Sequence, residues 1–516
     1  MVMAIPTPVS RLRRNIPVVA AMLAILAASA YLRYANLATN PGWDLDEGYN
    51  INIAWNLSQG RLQMYATSFA FVQHPPLFYL ILAPLFSIFG ADIAVLRGLT
   101  ATYGVLTTGL VYLVGKDLVS QRIGLLASAL FAIYPVAIMH NRWGYSYNQL
   151  MLVSLLVVYF GWRSIRLEAS DPRKSLLLAG IFAGIGMVSD QEGVALILGV
   201  FFLAWFVGRR HFAWAAFGCL APPVAYAIGM LSVVPSEFLF DWAHNLGRVT
   251  GGSLLAQPLT MSIKYQTFLE FDYWIPLGLL GLFLLPATRA KTLTLAFFVL
   301  MLTTVLIIRP VNPFFRTAIP VLPFVCLGLA STVDRGGGHV YEWAKDAVSG
   351  AFSQTVSRLA AIVIVFLAIF APLAAVAVLD VVEVQTSFRT RIDDFLVKAP
   401  GDAIAASRVV NDLGSPRDVA LVSPNSSWLY SMQTADLLQA VAAEGKGTAF
   451  YPDNMPDSRF AYSPRLGDAR FVVLDRFSEL WSKEMPEEAR IVRDVRANWQ
   501  EVFRSGEYVV YQNPRR

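Results

Sequence analysis

The sequence predicts an α-helical, polytopic membrane protein with a small C-terminal α/β domain outside the membrane. Of its 516 residues, 56% are hydrophobic and only 15% are charged, whereas soluble domains carry about 25% charged residues. Its apolar runs are long and apolar on every side, so they face lipid or other helices. The chain becomes more polar near residue 380, which predicts a transmembrane domain at 1–380 and an extracytoplasmic domain at 381–516.

The apolar segments predict about 11 transmembrane helices. They run roughly over 16–36, 94–115, 122–139, 149–166, 175–189, 193–208, 212–234, 273–288, 292–308, 317–332 and 358–380. A further run at 77–89 is short, which favours interfacial helices in the first outer loop. If this run does not span, every short basic loop lies in the cytoplasm, as the positive-inside rule requires. The N-terminus is then cytoplasmic, the first helix is uncleaved and the C-terminus lies outside.

Other function classes find little support in the composition. The net charge of +5 is spread over loops between apolar segments, so nucleic acid is not an expected partner. Cys219 and Cys326 both lie within apolar runs, which excludes a disulfide framework or a zinc spacing. Three glycines at 336–338 indicate a flexible cytoplasmic connector. In the C-terminal part, runs at 419–422, 471–474 and 508–511 predict strands, and 393–412 and 483–497 predict helices.

Residues 43–49 (WDLDEGY) place Asp44, Asp46 and Glu47 just after the first apolar segment. Carboxylates at a membrane face are costly to keep, and they often transfer protons or bind cations. The other interpretation is a solvated loop with a helix N-cap, because Asp followed by Glu favours the first turn of a helix. For Asp44 we favour the helix cap.

The same topology gathers further polar residues on the outer face. They are His74, Arg142, Tyr145, Asn148, Asp190, Glu192, Arg316 and the loop 235–272. An outward-facing site cannot use cytoplasmic nucleotide sugars or ATP directly. It needs a substrate that has already been carried across the membrane, and a lipid carrier fits that need.

The first third of the chain resembles the membrane-embedded GT-C glycosyltransferases. In particular, it resembles bacterial and archaeal relatives of the dolichyl-phosphate-mannose protein mannosyltransferases and the lipid A aminoarabinose transferases. The resemblance rests on the order of several segments, strongest at 43–90 and weaker over the rest of 10–335. These segments are DEGY at 46–49, WNLSQG at 55–60, HPPL at 74–77, FG at 89–90, Arg97, SDQEG at 189–193 and FRTAIPVLP at 315–323.

The resemblance implies inverting transfer of a sugar from a polyprenyl or dolichyl phosphate to an acceptor on the outer face of the cytoplasmic membrane. Asp46 matches the catalytic aspartate, a general base for the acceptor hydroxyl. Glu47 could tune that base, bind a divalent cation (Mg²⁺ or Mn²⁺) together with Asp46, or cap the helix. The acceptor could be a protein, a lipid or a polysaccharide.

The leaving lipid phosphate needs fixed positive charge nearby. His74, Arg142 and Arg316 are the outer-face candidates, although His74 could instead cap a turn and Arg316 could anchor the topology. Tyr145 could stack on sugar or belong to an interfacial aromatic belt. Asn148 stands where the family has an acidic residue.

The sequence Asp190-Gln191-Glu192 stands where the family often has lysine. These two acids form a possible further polar site together with Asp44, and the loss of positive charge suggests a different donor head group or acceptor. The C-terminal domain could act as a structural cap or help to bind the acceptor.

Two alternatives to a transferase remain. A transporter or flippase of a lipid-linked substrate would place charges near the bilayer midplane and would have broken helices in paired positions; here the charges cluster at one face. A catalytically inactive family member that binds lipid is the third hypothesis, supported by Asn148.

Overall fold

The computed structural model describes residues 8–516 apart from several internal gaps. The gaps are 64–73, 166–171, 251–273, 286–287, 309–314, 350–352, 387, 389–396, 399 and 449–450. The side chains of 8–15, 244–250, 290, 305–308, 315–317, 348–349, 397–398, 481 and 484 also lie outside the described part.

The membrane part is a helical bundle. Its helices are α1 (Pro8–Tyr34), α2 (Leu45–Ser58), α3 (Leu77–Phe89), α4 (Ile93–Leu118), α5 (Gln121–Ala132), α6 (Pro135–Asn141), α7 (Tyr147–Ile165), α8 (Pro172–Ser189), α9 (Val194–Val207), α10 (Phe212–Val233), α11 (Pro235–Thr250), α12 (Trp274–Phe283), α13 (Thr288–Ile308), α14 (Leu322–Ser349), α15 (Gln354–Val365) and α16 (Ala371–Gln385). A π-helical turn, Phe366–Phe370, joins the last two.

The apolar helices confirm a multi-pass membrane protein. Within the described residues, five helices are long and apolar enough to cross a membrane, or six if the bent pair α5–α6 forms one span. In the other predicted segments, the described residues do not meet both criteria of length and apolarity, so the count of eleven spans stays a prediction. The run 77–89 forms α3, whose 13 residues extend only about 20 Å.

Two local predictions were wrong. The segment 122–139 is not one helix, because the chain bends by 62° between α5 and α6, where Pro135 begins the second helix and cannot donate a backbone hydrogen bond. The glycines at 336–338 lie within α14 rather than in a connector. Packing of that helix outweighs the weak helix propensity of glycine.

The C-terminal part has a five-stranded mixed sheet flanked by helices. Its strands are β3 (Val419–Leu421), β4 (Gln433–Ala435), β5 (Phe471–Leu474), β6 (Gln500–Ser505) and β7 (Tyr508–Gln512), in the spatial order β4-β3-β5-β7-β6. Strands β4, β3 and β5 are parallel, and β7 and β6 add antiparallel. Its helices are α17 (Pro400–Leu413), α18 (Leu437–Ala443), α19 (Arg476–Glu484) and α20 (Pro486–Asn498).

The three predicted strand runs are therefore confirmed, and the predicted helix 483–497 corresponds to α20. The predicted helix 393–412 was wrong at its start, because residues 397–398 form a strand and α17 begins at Pro400. Residues 393–396 and 399 lie outside the described part. A short antiparallel ladder links the two parts of the chain, because β1 (Trp43–Asp44) pairs with β2 (Val397–Lys398).

One hydrophobic core is shared between the start of the bundle and the sheet. Ile51 and Phe78, from α2 and α3, are buried together with Val422, Phe471 and Val510 from the C-terminal part. The C-terminal part is thus packed directly onto α2 and α3, and this packing positions the candidate site.

Candidate functional site

The site begins at the first turn of α2, where Asp44 is the N-cap. The Asp44 carboxylate accepts a hydrogen bond from the Asp46 backbone at 2.9 Å, and the Glu47 carboxylate accepts one from the Asp44 backbone at 2.9 Å. Side chain and backbone thus satisfy each other in a capping box. Asp44 is 3% exposed, and its contacts match the helix cap that the sequence favoured.

Glu47 lies in a fully buried ion pair with Arg97 of α4. The Arg97 Nε donates to Glu47 Oε1 at 2.7 Å and its Nη2 donates to Oε2 at 2.6 Å, with both side chains 0% exposed. The Gly144 backbone N–H is a second donor to Oε1, at 2.9 Å. A buried charge is tolerated only when it is paired and hydrogen-bonded, and this network meets both conditions.

Two buried arginines also fix the backbone that leads into α2. Arg97 donates to the carbonyl oxygens of Leu37, Pro41 and Gly42. Arg142 donates four hydrogen bonds of 2.6–3.0 Å to the carbonyl oxygens of three residues, Leu32, Ala35 and Asn40.

Arg142 is 0% exposed. Its guanidinium is already engaged by the protein backbone, so this arginine holds the segment between α1 and α2 in place. The expectation that it faces a donor phosphate is therefore not supported. Its planar fork of donors suits this clamping task as well as it would suit a phosphate.

Asn148 has a similar structural role. Its amide nitrogen donates to the carbonyl oxygens of His140, Trp143 and Tyr145, and its amide oxygen accepts a hydrogen bond from Asn141 at 2.7 Å. The Tyr145 ring is 3% exposed and packs in an aromatic cluster with its neighbours. Neither side chain presents a surface on which a sugar could bind.

Asp46, the second residue of α2, is half-buried, whereas Asp44 and Glu47 are buried. Tyr79 of α3 lies within electrostatic range of Asp46: burial, and then the carboxylates of Asp190 and Asp46, raise the pKa of the Tyr79 phenol. The Tyr79 hydroxyl donates to Asn50 at 2.8 Å, and Asn50 in turn donates to the Gly144 carbonyl at 2.7 Å. Asp46 and Asp190 thus both act on the Tyr79 phenol through their charge. We call these three residues the polar centre of the candidate site.

Asp190 caps the 3₁₀ turn Gln191–Gly193 and accepts a hydrogen bond from the Ser146 hydroxyl at 2.8 Å. Glu192 is 1% exposed. The partly buried His74 ring lies 6.0 Å, centroid to centroid, from the ring of Tyr79, so His74 borders the same centre. The backbone of Arg316 belongs to the 3₁₀ helix Phe315–Val321, but its side chain lies outside the described residues, as does most of the loop 235–272.

The carboxylates do not fit a shared metal ion. Both oxygens of Glu47 are engaged by Arg97 and by backbone N–H groups. Among the residues that the structure describes, no group of three His, Cys, Asp or Glu side chains is placed to hold a metal. We therefore derive no step through Mg²⁺ or Mn²⁺.

Sequence reasoning assigned no role to Tyr79 or Tyr49. Tyr79 follows the proline pair at 75–76 in an apolar run, where a tyrosine resembles an interfacial anchor. Tyr49 is the last residue of the DEGY segment, and nothing in the sequence singles it out. Its hydroxyl nevertheless donates to Asp436 of the C-terminal part at 2.7 Å. The spacing of 387 residues between them leaves no local signal.

Comparison with known proteins decides the fold. The sequence profile of the dolichyl-phosphate-mannose-protein mannosyltransferase family matches residues 73–238. The crystal structure of ArnT from Cupriavidus metallidurans bound to undecaprenyl phosphate superposes with a TM-score of 0.61 at 15% identity, covering 96% of this chain and 97% of that chain. Apo ArnT gives 0.60 at 14% identity, covering 97% and 98%.

The oligosaccharyltransferase of Archaeoglobus fulgidus gives a TM-score of 0.54 at 13% identity, covering 91% of this chain and 69% of that chain. No curated protein sequence matches. The chain has the GT-C fold. This confirms the fold that the resemblance implied. Within this fold, the family profile begins beyond α2, so Asp46 lies outside the matched segment whereas Asp190 lies inside it.

Proposed function

We propose that this protein is an inverting glycosyltransferase that moves a sugar from a polyprenyl or dolichyl phosphate to an acceptor on the outer face of the cytoplasmic membrane. The single observation that carries the proposal is the environment of Asp46. It sits at a helix N-terminus on a rigid, ion-paired frame, with its neighbouring carboxylates Asp44 and Glu47 committed to structural contacts.

In the proposed reaction an acceptor hydroxyl attacks C1 of the sugar from the face opposite the phosphate. A bond forms between the acceptor oxygen and C1, and the bond between C1 and the phosphate oxygen breaks with its electron pair going to the phosphate. Asp46 takes the proton of the hydroxyl and later releases it to water. The products are the glycosylated acceptor, with inverted anomeric configuration, and polyprenyl phosphate.

The neighbours of Asp46 suit this chemistry. The Tyr79 phenol stays protonated because burial and the two carboxylates raise its pKa. Since it donates its proton to Asn50, its oxygen can accept a hydrogen bond from a sugar hydroxyl. The placement of Asp190 in the same centre supports a role in binding sugar hydroxyls or the acceptor.

The leaving phosphate gains negative charge and needs a cation. Since Arg142 is engaged by the backbone, His74 and Arg316 remain our proposed donors of positive charge. A histidine side chain is charged only in part near neutral pH, so the proposal assigns most of the phosphate binding to Arg316.

The fold supports a lipid-linked donor, because the matching ArnT structure holds undecaprenyl phosphate. The acceptor is less constrained: a structure of the Archaeoglobus fulgidus enzyme is tethered to an acceptor peptide, whereas a lipid or a polysaccharide would be reached by the same outward-facing site.

The test uses the purified full chain in nanodiscs. It is incubated with undecaprenyl-phosphate-linked mannose, glucose, galactose, arabinose and 4-amino-arabinose, with crude cell-envelope extract as acceptor, and released undecaprenyl phosphate is measured by mass spectrometry. We expect release from at least one donor, and the anomeric configuration of the product is then read by NMR. No release from any donor, combined with movement of an intact labelled donor across proteoliposomes, would favour the flippase alternative.

A further inference from the structure

In the segment Asp46-Glu47-Gly48-Tyr49, each residue after Asp46 makes a different contact. Glu47 pairs with Arg97 inside the bundle. Gly48 and Tyr49 instead face the C-terminal part. These contacts raise the question of what the C-terminal part contributes to the position of Asp46.

Gly48 permits a backbone approach that no other residue would allow. A Cβ atom built on Gly48 would lie 1.7 Å from the carbonyl oxygen of Pro424, far inside any real contact distance. Pro424 begins the 3₁₀ helix Pro424–Leu429, which follows β3. The distance between α2 and the C-terminal part is therefore set by the absence of a side chain at position 48.

Tyr49 fixes the rotation of α2. It lies three residues after Asp46, so the two side chains are neighbours on one face of the helix. The Tyr49 hydroxyl donates to Asp436 Oδ2 at 2.7 Å, and Asn52, one turn further on, donates to the Ser427 hydroxyl at 2.6 Å. Both hydrogen bonds are buried.

The receiving surface is rigid for reasons that belong to the sheet. Asp436 follows β4 directly and caps α18, accepting from the Gln439 backbone at 2.7 Å while the Gln439 side chain accepts from the Asp436 backbone at 2.9 Å. Asp475 follows the parallel strand β5 and accepts from Ser423, just after β3, at 2.8 Å. The carboxyl ends of three parallel strands thus meet at one edge, a place where α/β sheets commonly bind ligands.

In this protein, α2 packs against that edge of the sheet. A small cavity there is lined by Tyr49, Ser423, Asp436, Ser478 and Glu488, among others, so the side chain from the bundle closes a surface that the sheet leaves open.

We propose that the carboxyl edge of the C-terminal sheet positions the catalytic helix, with Tyr49 and Asp436 as positioning residues that hold Asp46 in the polar centre with Tyr79 and Asp190. The inference rests on the proposed function, since positioning has meaning only if Asp46 acts on the substrate. It gives the C-terminal part a role in turnover in addition to that of a cap.

The test compares kcat and KM for the donor in wild type and in Tyr49→Phe, which removes one hydroxyl and keeps the ring. Small displacements of a reacting group can cost about 100-fold in rate. We expect kcat to fall by about 10- to 100-fold, with KM for the donor unchanged within about threefold. Hydrogen exchange of the α2 amides should speed up in the variant at a temperature where the rest of the chain stays protected.

Two matched variants separate positioning from folding. Tyr430→Phe removes a buried hydroxyl of the C-terminal part that makes no hydrogen bond to α2. This variant should leave kcat unchanged. Asp436→Asn keeps both the helix cap and a hydrogen-bonding partner for Tyr49, and it should retain kcat within about threefold of wild type.

The outcomes are distinguishable. If wild type turns over, Asp46→Asn does not, and Tyr49→Phe equals wild type, the positioning role is wrong and the proposed function survives. An equal loss of kcat in Tyr430→Phe would also overturn it, since the effect would then be general destabilisation. A wild type without any turnover would overturn the proposed function and the positioning role together.

Discussion

Two acidic clusters meet where the bundle packs on the C-terminal part, and they handle their charge in opposite ways. At the start of α2, Glu47 is paired with Arg97 and Asp44 caps the helix. At the sheet edge, Asp436 and Glu488 are buried without a cation: no Lys or Arg forms an ion pair with either in the part of the chain that the structure describes, and Glu488 Oε1 has no hydrogen-bond partner.

The difference shows in the pKa values. Burial raises the pKa of Asp436 to about 6, although hydrogen bonds from Tyr49 and from the Gln439 backbone favour its carboxylate. Burial, and then the charge of Asp436, raises the pKa of Glu488 to about 8. The second cluster therefore holds a proton near neutral pH, whereas in the first cluster the Glu47 carboxylate is held by its ion pair with Arg97. A general base belongs in the first kind of cluster.

The largest effect on stability should come from breaking the ion pair. Arg97→Met leaves Glu47 buried and uncompensated, which typically costs about 3–5 kcal/mol. The double variant Glu47→Gln/Arg97→Met removes both charges and should lose much less. Thermal unfolding in detergent by intrinsic fluorescence compares the two, and a single variant as stable as the double would show that the pair is not needed for the frame.

A smaller effect on stability is expected at the sheet edge, where removing a buried carboxylate should raise the stability at high pH rather than lower it. The folded-state pKa of Glu488 lies above its ordinary value, so its favourable contribution is complete below about pH 4 and is lost as the pH rises through about 8. Asp436 adds a similar loss through about 6. The contribution of these two groups to wild-type stability should therefore decline between about pH 4 and about pH 8, and stabilities measured at pH 5 and pH 9 should show most of this decline.

Glu488→Gln should flatten that decline and exceed wild type at about pH 9 by more than about 1 kcal/mol, because one pKa unit corresponds to about 1.4 kcal/mol. The exposed Glu501, paired with Arg504 on the same domain, provides the control: Glu501→Gln should keep the wild-type pH dependence. A parallel decline in Glu488→Gln would contradict the assignment of a buried proton.

The smallest effect concerns Asp44. Asp44→Ala removes an N-cap and should cost about 1 kcal/mol, whereas Asp44→Asn keeps the cap and should cost only a few tenths of a kcal/mol. Both variants should turn over close to wild type. Hydrogen exchange of the first-turn amides of α2 checks the cap, and a turnover loss in Asp44→Asn would mean that this carboxylate does more than end a helix.

The same contrast explains what could be predicted from the sequence. Apolar run length is a local property, so the multi-pass bundle, the short helix α3 and the three strand runs were accessible. The cap at Asp44 was accessible too, because capping depends on residues within one turn. Asp475 directly follows the predicted strand run 471–474, whereas the short strand Gln433–Ala435 that precedes Asp436 was not predicted.

The partners of the charged residues were not accessible. Arg142 looks like a phosphate ligand in the sequence because nothing local shows that carbonyl oxygens of residues 32–40 converge on it. Glu47 and Arg97 are 50 residues apart, and Tyr49 and Asp436 meet only through the tertiary fold. Side chains that clamp the backbone and side chains that bind a ligand share the same chemistry, so only the folded contacts separate them.

The central claim is that one of the two neighbouring aspartates, Asp46, performs the chemistry while Asp44 supports the helix. The most direct test measures release of undecaprenyl phosphate by Asp46→Asn and Asp44→Asn side by side, with the donor that wild type accepts. We predict a loss of at least about 1,000-fold for Asp46→Asn, equivalent to about 4 kcal/mol, with unchanged unfolding temperature and donor binding, and near-normal release by Asp44→Asn. Normal release by Asp46→Asn would contradict the account.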